Sequence, residues 1–493
     1  MSRSPASFAV LASTAAALAG CAVGPNFHRP AAPTVSGYTP APLAATAAAP
    51  GQTAGEMQAF AAGADVPARW WTLFHAPGLD ALEEQALKAN PDLAAAQASL
   101  RQAHELYLAQ RGGLVPAVDV TGQKLREKDS AVVSPTLAQP LPEFSLYTGQ
   151  VAISYRLDLF GAVRRQVEQA AAQAEQQRYQ YEAAYLTLTS NVAAAAIQDA
   201  ALRDQIQANE TLVGAAESLL GIERRQEELG QVAGADVAAQ ALALAQAQAS
   251  LPPLRKALAQ EDDLIAALAG RLPSEAAAPR LALADLSLPG ALPVSLPSRL
   301  VDQRPDIRAA EAALHAASAA VGAAEADRLP DIELSAGFGG ASTVLSDLLS
   351  HSDQAWSVAA GFTQPIFHGG ALAHRQKAAE AALDQARAQY RSTVVSAFQN
   401  VADVLQAVEH DAEALQADAA AEQAARQALD IAQARARLGA VSGGAVLSIQ
   451  QTYQTALAAR VQAQAARLSD SVALFEALGG GWWNRDGAAP PKG

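Results

Sequence analysis

The side chains in this sequence that could do chemistry are few and dispersed. Eight histidines are spread over 493 residues. None belongs to an HExxH pair or to a Cys/His cluster with metal-ligand spacing. His368 and His374 stand six apart, which on a helix puts them on different faces. There is no GxSxG elbow, no phosphate-cradling P-loop and no paired dinucleotide-binding fingerprint. Each histidine reads as a solvated or packed surface residue. The chain is therefore expected not to be an enzyme and to hold no metal. Its one cysteine, Cys21, excludes an intramolecular disulfide.

The setting of Cys21 is informative. In "SFAVLASTAAALAGCAVGP" a short n-region with Arg3 precedes a run of small apolar residues, too short and too near the terminus for a membrane span. The run ends Leu18-Ala19-Gly20-Cys21, which resembles the lipobox of bacterial lipoproteins. That resemblance implies a diacylglycerol on the Cys21 sulfur, removal of residues 1–20 as a signal peptide, and acylation of the new amine. Several acyl chains on one residue anchor stably. Ala22 follows instead of Asp, which by the same resemblance favours the outer membrane. The competing reading is an ordinary signal peptide cut after Ala17-Leu18-Ala19, leaving a free thiol. Loss of residues 1–20 removes only Arg3 and takes the net charge from −14 to −15. That acidity argues against nucleic acid as a partner.

Such sparse chemistry directs attention to the elements. Half the chain is hydrophobic, but much of that is alanine and only 5% is aromatic, which suits closely packed long helices better than a thick core. A unit occurs twice: "NPDLAAAQASLRQAHELYLAQRGGLVP" from Asn90 and "RPDIRAAEAALHAASAAVGAAEADRLP" from Arg304. Pro91 pairs with Pro305 and Pro116 with Pro330, both at an offset of 214. Residues 21–68 read as an extended, surface-hugging segment. Residues 69–271 form repeat 1, 272–298 a linker, 299–480 repeat 2 and 481–493 a tail. Asn90-Pro91-Asp92 is a helix start.

Strands are expected at about 116–126, 146–158, 331–340 and 355–366. In "SLYTGQVAISYRLDL", Tyr147, Val151, Ile153, Tyr155 and Leu157 share one face, and Thr148, Gln150, Ser154 and Arg156 the other. Val118 and Val120 oppose Asp119, Thr121 and Gln123; Ile332, Leu334 and Phe338 share a face, as do Trp356, Val358 and Phe362. This is the period-2 pattern of strands with an apolar and a wet face, long enough to cross a bilayer when tilted. From Gly161 the period becomes heptad-like and no proline follows until beyond Leu229. A long helix is expected there, a turn through Gly230–Gly234, and a returning helix to about Gly270 kinked at Pro252-Pro253. Repeat 2 has a long helix from about Gly370, a turn through Gly443-Gly444 and a return to Leu478. The two short helices of each repeat, stacked end to end, would run beside the long one. Four strands cannot close a barrel, and unpaired edges cannot face lipid, so the chain is expected to oligomerise.

With these landmarks the chain resembles the outer membrane factor family, the TolC-like efflux channels, and within it the NodT-type lipoproteins. The resemblance rests on "CAVGPNFHRP", "WWTLF" with "PGLDAL", "DLFG", "RPDIRAAEAAL", "LGQVAGADV", "LGAVSGGAV" and "ALGGGWW", spread over nearly the whole chain. It implies a mainly α protein with a membrane β part: a homotrimer with a 12-stranded transmembrane β-barrel, four strands per chain, on a long coiled-coil α-helical periplasmic barrel. It implies a passive outer-membrane duct serving a periplasmic adaptor (membrane fusion protein) and an inner-membrane pump, with no cofactor beyond the lipid on Cys21. By the same resemblance Leu229, Gly230, Val232, Gly234, Leu438, Gly439, Val441 and Ser442 form the adaptor-contacting tip, and Asp236 is a candidate gate. Asp is equally a good helix-start residue. The family often has further acids after the second turn; here those positions are Ala445 and Ser448. Tyr147, Tyr155, Trp356 and Phe362 are candidates for the membrane-interface aromatics. Trp70, Trp71, Trp482 and Trp483 lie outside the strands and are expected to pack in the periplasmic part. Two alternatives are the exit channel of a type I protein-secretion system and a structural periplasmic coiled-coil lipoprotein.

Overall fold

The computed structural model describes residues 22–40, 45–128, 143–275, 281–348, 350, 354–438, 440–441 and 443–485. Cys21, Gly439 and Ser442 lie outside the described residues. The chain forms two compact units, one of residues 22–29, 100–177 and 310–390, the other of residues 30–99, 178–309 and 391–485.

The first unit carries a four-stranded sheet. β2 (Ala117–Glu127), β3 (Phe144–Leu157), β5 (Asp331–Ser342) and β6 (Gln354–Thr363) lie side by side in that order. Every neighbouring pair is antiparallel. The strands begin and end within three residues of the positions the alternation marks. β1 (Ala59–Ala62) and β4 (Ala291–Val294) form a separate parallel pair in the second unit. Neither was expected. "AFAA" and "ALPV" are too short to show a period, and the parallel partner is more than two hundred residues away. The segment 21–68 and the linker 272–298 therefore each contribute a strand.

Eight α-helices are present among the described residues. They are α1 (Pro77–Ala89), α2 (Pro91–Gly112), α3 (Ala162–Glu228), α4 (Gly234–Leu268), α5 (Pro297–Gln303), α6 (Pro305–Ala326), α7 (Ala371–Arg437) and α8 (Gly443–Ala477). The repeat is legible in their lengths: α2 and α6 have 22 residues each, α3 and α7 have 67, α4 and α8 have 35. The heptad-like positions of α3 include the buried Leu188, Val192 and Ala195, and those of α7 the buried Ala397, Val401 and Val408. α4 runs unbroken through Pro252-Pro253, so the double proline does not end it. Gly234 and Gly443 are the first residues of α4 and α8, not turn residues as their composition suggested.

The joints between short helices repeat as well. Asn90 caps α2, its Oδ1 accepting from the Asp92 and Leu93 backbones at 2.9 and 3.0 Å. Its Nδ2 donates to the Leu268 carbonyl at the end of α4, 3.0 Å away. In the second copy Arg304 takes that place and donates to the Ala477 carbonyl at the end of α8, 2.9 Å away. Gly270 and Gly479 follow these ends with φ of +69° and +94°. A Cβ on either would lie 2.2 or 2.4 Å from the carbonyl oxygen of Ala89 or Gln303, so the chain can close here only on glycine.

The core of the second unit holds the aromatic residues of "WWTLF". Trp70 packs against Phe475 at 5.3 Å between ring centroids, and Trp71 and Phe74 lie edge-on to Trp70. Trp482 packs edge-on against Tyr179 and donates to the Gln303 carbonyl at 2.7 Å. These tryptophans are structural, with buried area and a satisfied or enclosed indole as their role. No described helix is long and apolar enough to cross a membrane.

Candidate membrane sheet and hairpin turns

Cross-strand pairing fixes which residues share a face of the sheet. Val120, Val151, Phe338 and Trp356 form one row across all four strands. Val118, Ile153, Ala336 and Val358 form the next, and Leu157, Ile332 and Phe362 a third. This face is apolar, and its outer members stand in the open; Trp356 is 76% exposed. Lys124 sits over the Tyr147 ring at 5.3 Å, where the apolar rows give way to charge. The opposite face carries Asp119, Thr121, Gln123, Thr148, Gln150, Ser335 and Ser357. Arg156 there binds Asp331 at 2.6 Å and opposes Glu333 in register. Tyr155 and Phe362 lie on the apolar face near the end where Leu157 finishes β3; Tyr147 lies toward the other end. The two outer strands, β2 and β6, are exposed at every position. Each offers an unpaired line of backbone donors and acceptors.

The residues just after Cys21 are seated on the same unit. The Val23 amide donates to Phe160 O at 3.0 Å, three residues beyond β3. Arg165, nearly buried, donates to the Val23 carbonyl at 3.0 Å, the Gly24 carbonyl at 3.3 Å and Asn26 Oδ1 at 2.8 Å. Its fourth contact is Glu168 at 2.7 Å, which also binds His315 at 2.9 Å. His315 stacks on Phe27 at 4.3 Å. Burial pushes the Glu168 carboxyl up, but its bonds from Arg165 and His315 outweigh that and hold it below the usual carboxylate range. Gly24 has φ +89°, and a Cβ on it would lie 2.3 Å from the Gly322 Cα. The sequence marked "CAVGPNFHRP" only as a resemblance. That Arg165 and Gly322 form its seat had no sequence signal, because they lie 142 and nearly 300 residues away.

The reversals between long helices are built alike. The Gln231 amide donates back to the Gln226 carbonyl at 2.8 Å, with Gly230 at φ +70°. In the second copy Ala440 donates to the Arg435 carbonyl at 2.9 Å. At the first turn this is a Schellman closure, with Gly230 as its left-handed residue. Leu229 and Leu438 stand 67% and 83% exposed beyond their helices. Val232 is half-buried, and Val441 packs on a core of Leu212, Leu219, Leu429 and Val446. Asp236 is half-buried in the first turn of α4, its Oδ2 accepting the Ala233 amide at 3.4 Å. It thus serves as a helix-start residue while facing the turn. Ala445 and Ser448 are exposed on α8. One acid that sequence reading passed over, Glu223, is buried on α3 beside this turn. Burial and the Asp236 charge both push its carboxyl up.

The first unit offers one apolar face, one wet face and two open edges; the second offers two turns, each with an exposed leucine. Among the described residues no group of three or more His, Cys, Asp or Glu is placed to hold a metal.

Comparison with known proteins agrees with it. The outer membrane efflux protein family matches residues 82–271 and 296–480. The toluene efflux pump outer membrane protein TtgC of Pseudomonas putida is 31% identical over 97% of this chain and 96% of its own. The pyoverdine export outer membrane protein OpmQ of Pseudomonas aeruginosa is 30% identical over 90% of this chain and 94% of its own. Among solved structures, the outer-membrane channel OprN superposes with a TM-score of 0.82 at 27% identity, covering 94% of this chain and all of that one. The open state of the MtrE outer membrane channel of Neisseria gonorrhoeae gives 0.79 at 26% identity, covering 94% and 98%.

Proposed function

The chain belongs to the outer membrane efflux protein family, and we propose that three copies of it close one transmembrane barrel and serve as a passive exit duct for small organic molecules. It is an outer-membrane efflux channel that works with a periplasmic adaptor and an inner-membrane pump. The observation that carries the barrel is the sheet itself. Four strands with one continuous apolar face and two exposed edges cannot rest in lipid alone. Pairing β2 of one copy with β6 of the next removes every edge. Three copies give 12 strands, an even number within the range of closed barrels.

Energy comes from the partner. The chain's own residues provide a wall, a wet lumen face and two apolar turns for docking, and we assign it no catalytic step. Relatives act on toluene and on pyoverdine. A cargo of small amphipathic molecules fits a wet lumen face that carries few charges. Lipidation of Cys21 fits the seat that holds Val23 and Gly24 beside the end of β3, because acyl chains there emerge where the apolar face ends. A palmitate analogue should label the protein, and Cys21→Ser should abolish the label.

The test of the duct is single-channel conductance of the purified protein in a planar bilayer, with a gel assay for a heat-modifiable oligomer. Discrete, cation-selective steps from an oligomer that dissociates on boiling are expected. A well-folded oligomer with no conductance would overturn the duct and leave a structural lipoprotein.

A further inference from the structure

The apolar face of the four-stranded sheet changes character toward one end. Beyond the row of Val120, Val151, Phe338 and Trp356 comes a row of glycines, Gly122, Gly149 and Gly340, with Gln354 at its edge. Leu348, in the segment after β5, covers that row; its Cδ2 lies 3.2 Å from the place a Cβ on Gly149 would take. The next row is Lys124, Tyr147 and Ser342, and the one after it pairs Arg126 with Ser145. Alternation sets Lys124 and Arg126 on the same face as Val118 and Val120. They are the two charged residues that the four strands place on this face, and both are positive. The wet face carries both signs, with Asp119, Glu127, Arg156, Asp331 and Glu333.

The position of these two cations along the strands matters as much as their sign. Leu157 ends β3 shortly before α3 begins, and Tyr147 lies ten residues earlier. At about 3.4 Å per residue and a tilt of 35–45°, ten residues rise about 25 Å, the height of the apolar band of a membrane barrel. With Leu157 at the border nearest the helices, the row of Lys124 and Tyr147 stands at the opposite border, and Arg126 one step beyond it. Lys124 is exposed, its Nζ 5.3 Å from the centroid of the Tyr147 ring. Arg126 binds Glu143 at 2.9 Å, an exposed pair that holds the guanidinium loosely. An ammonium and a guanidinium beside the hydroxyls of Ser145 and Tyr147 make a set of donors suited to phosphate oxygens.

We propose that Lys124 and Arg126 form a phosphate-binding site on the outer wall of the barrel, and that its occupant is the phosphorylated glycolipid of the outer leaflet. The inference rests on the duct reading, which supplies the membrane and its direction. Continuity of the face favours a lipid over free phosphate. The cations border directly on the Leu348-covered glycine row and the apolar rows beyond it, so a molecule with both phosphate and acyl chains satisfies the whole surface. β2 is an edge strand, so the lipid would sit at the seam where one copy meets the next.

The experiment uses the full trimer, purified in detergent and incubated with fluorescent diphosphoryl lipid A. Retained lipid is measured against its concentration. Displacement is tested with unlabelled diphosphoryl lipid A, dephosphorylated lipid A and inorganic phosphate. Wild type should retain the lipid saturably, and unlabelled diphosphoryl lipid A should displace it. Lys124→Gln and Arg126→Gln should each raise the half-saturating concentration about fivefold, as expected for one basic residue at an anionic surface, and the double variant about twentyfold. Arg126→Gln serves alone if Lys124→Gln yields no trimer. Arg101→Gln, exposed on α2, should change nothing. Equal retention in wild type and the double variant would overturn the proposal. So would displacement by dephosphorylated lipid A, which would leave acyl contact as the sole attraction. Displacement by millimolar inorganic phosphate would assign the site to the free anion and overturn the lipid. Conductance should be the same in wild type and the double variant, because both residues face away from the lumen. Its absence from both would defeat the duct, and lipid retention would still decide the site.

Discussion

Arg467 shows what single residues contribute here. Its side chain is 1% exposed on α8 and donates to the carbonyls of Ala54 and Glu56 at 2.7 and 3.1 Å. It also donates to Thr46 and Gln58 at 3.2 Å each. One guanidinium thus pins the segment before β1 onto α8. Arg467→Ala leaves the Ala54 carbonyl and Gln58 Oε1 buried without this donor and should cost about 2–5 kcal/mol, read as a lower thermal transition of the trimer. Arg467→Lys should not rescue it, because an ammonium cannot reach a fork of acceptors. Beside it, Asp470 bonds Asp411 of α7, and burial together with that like charge pushes the Asp470 carboxyl from 3.8 up to about 8. A raised carboxyl favours the protonated folded state. Its contribution is complete below pH 4 and is lost as pH rises toward 8. Asp470→Asn should therefore raise the thermal transition at pH 8 more than at pH 5. Equal shifts at both would refute the shared proton. None of this was legible in sequence. Arg467 lies 421 residues from Thr46, and its pattern is that of any helical arginine. Asn90 was legible, because a cap is made with its own next turn.

The elements were legible in proportion to their period. Strand faces and long helices follow from alternation and heptads, and the register confirms the faces row by row. The short β1 and β4 carry no period. Pro252-Pro253 suggested a kink, and both prolines lie inside one continuous helix that runs on to Leu268. The sheet offers two tests. Gly339 opposes Gln150, and a Cβ on it would lie 2.2 Å from the Gly149 carbonyl oxygen and 2.5 Å from the Gln150 Cβ. Gly339→Val should prevent oligomer formation, whereas Gly361→Ala, with nothing within 4 Å, should not. The faces are also asymmetric. Val151→Arg places charge on the apolar face and should cost about 2–4 kcal/mol if it lies near mid-membrane. Gln150→Arg, one residue away on the wet face, should insert normally and lower cation selectivity. Equal damage from both would mean that the apolar face does not meet lipid.

At the scale of the molecule, the duplicated unit supplies two strands per copy, and the chain ends with four. The edge strands decide how copies assemble. Within one chain β2 and β6 are separated by β3 and β5. Three strand spacings of about 4.8 Å put them roughly 14 Å apart, beyond the ~7 Å between Cα atoms that a disulfide tolerates. A disulfide between β2 and β6 can therefore form only between copies. Cys21 is the sole native cysteine, so a Cys21→Ser background gives a clean test. One cysteine is fixed at Val358 in β6 and a second is moved along β2 from Ala117 to Leu125. If the barrel closes between copies, oxidation should yield covalent dimers and trimers on a non-reducing gel. They should peak at the single β2 position that faces Val358 in register, because same-face neighbours two residues along lie about 7–8 Å away. Chains that cross-link at no position would show that the edges face something other than a neighbour. Cross-linking at every position would show a collapsed aggregate and not a ladder.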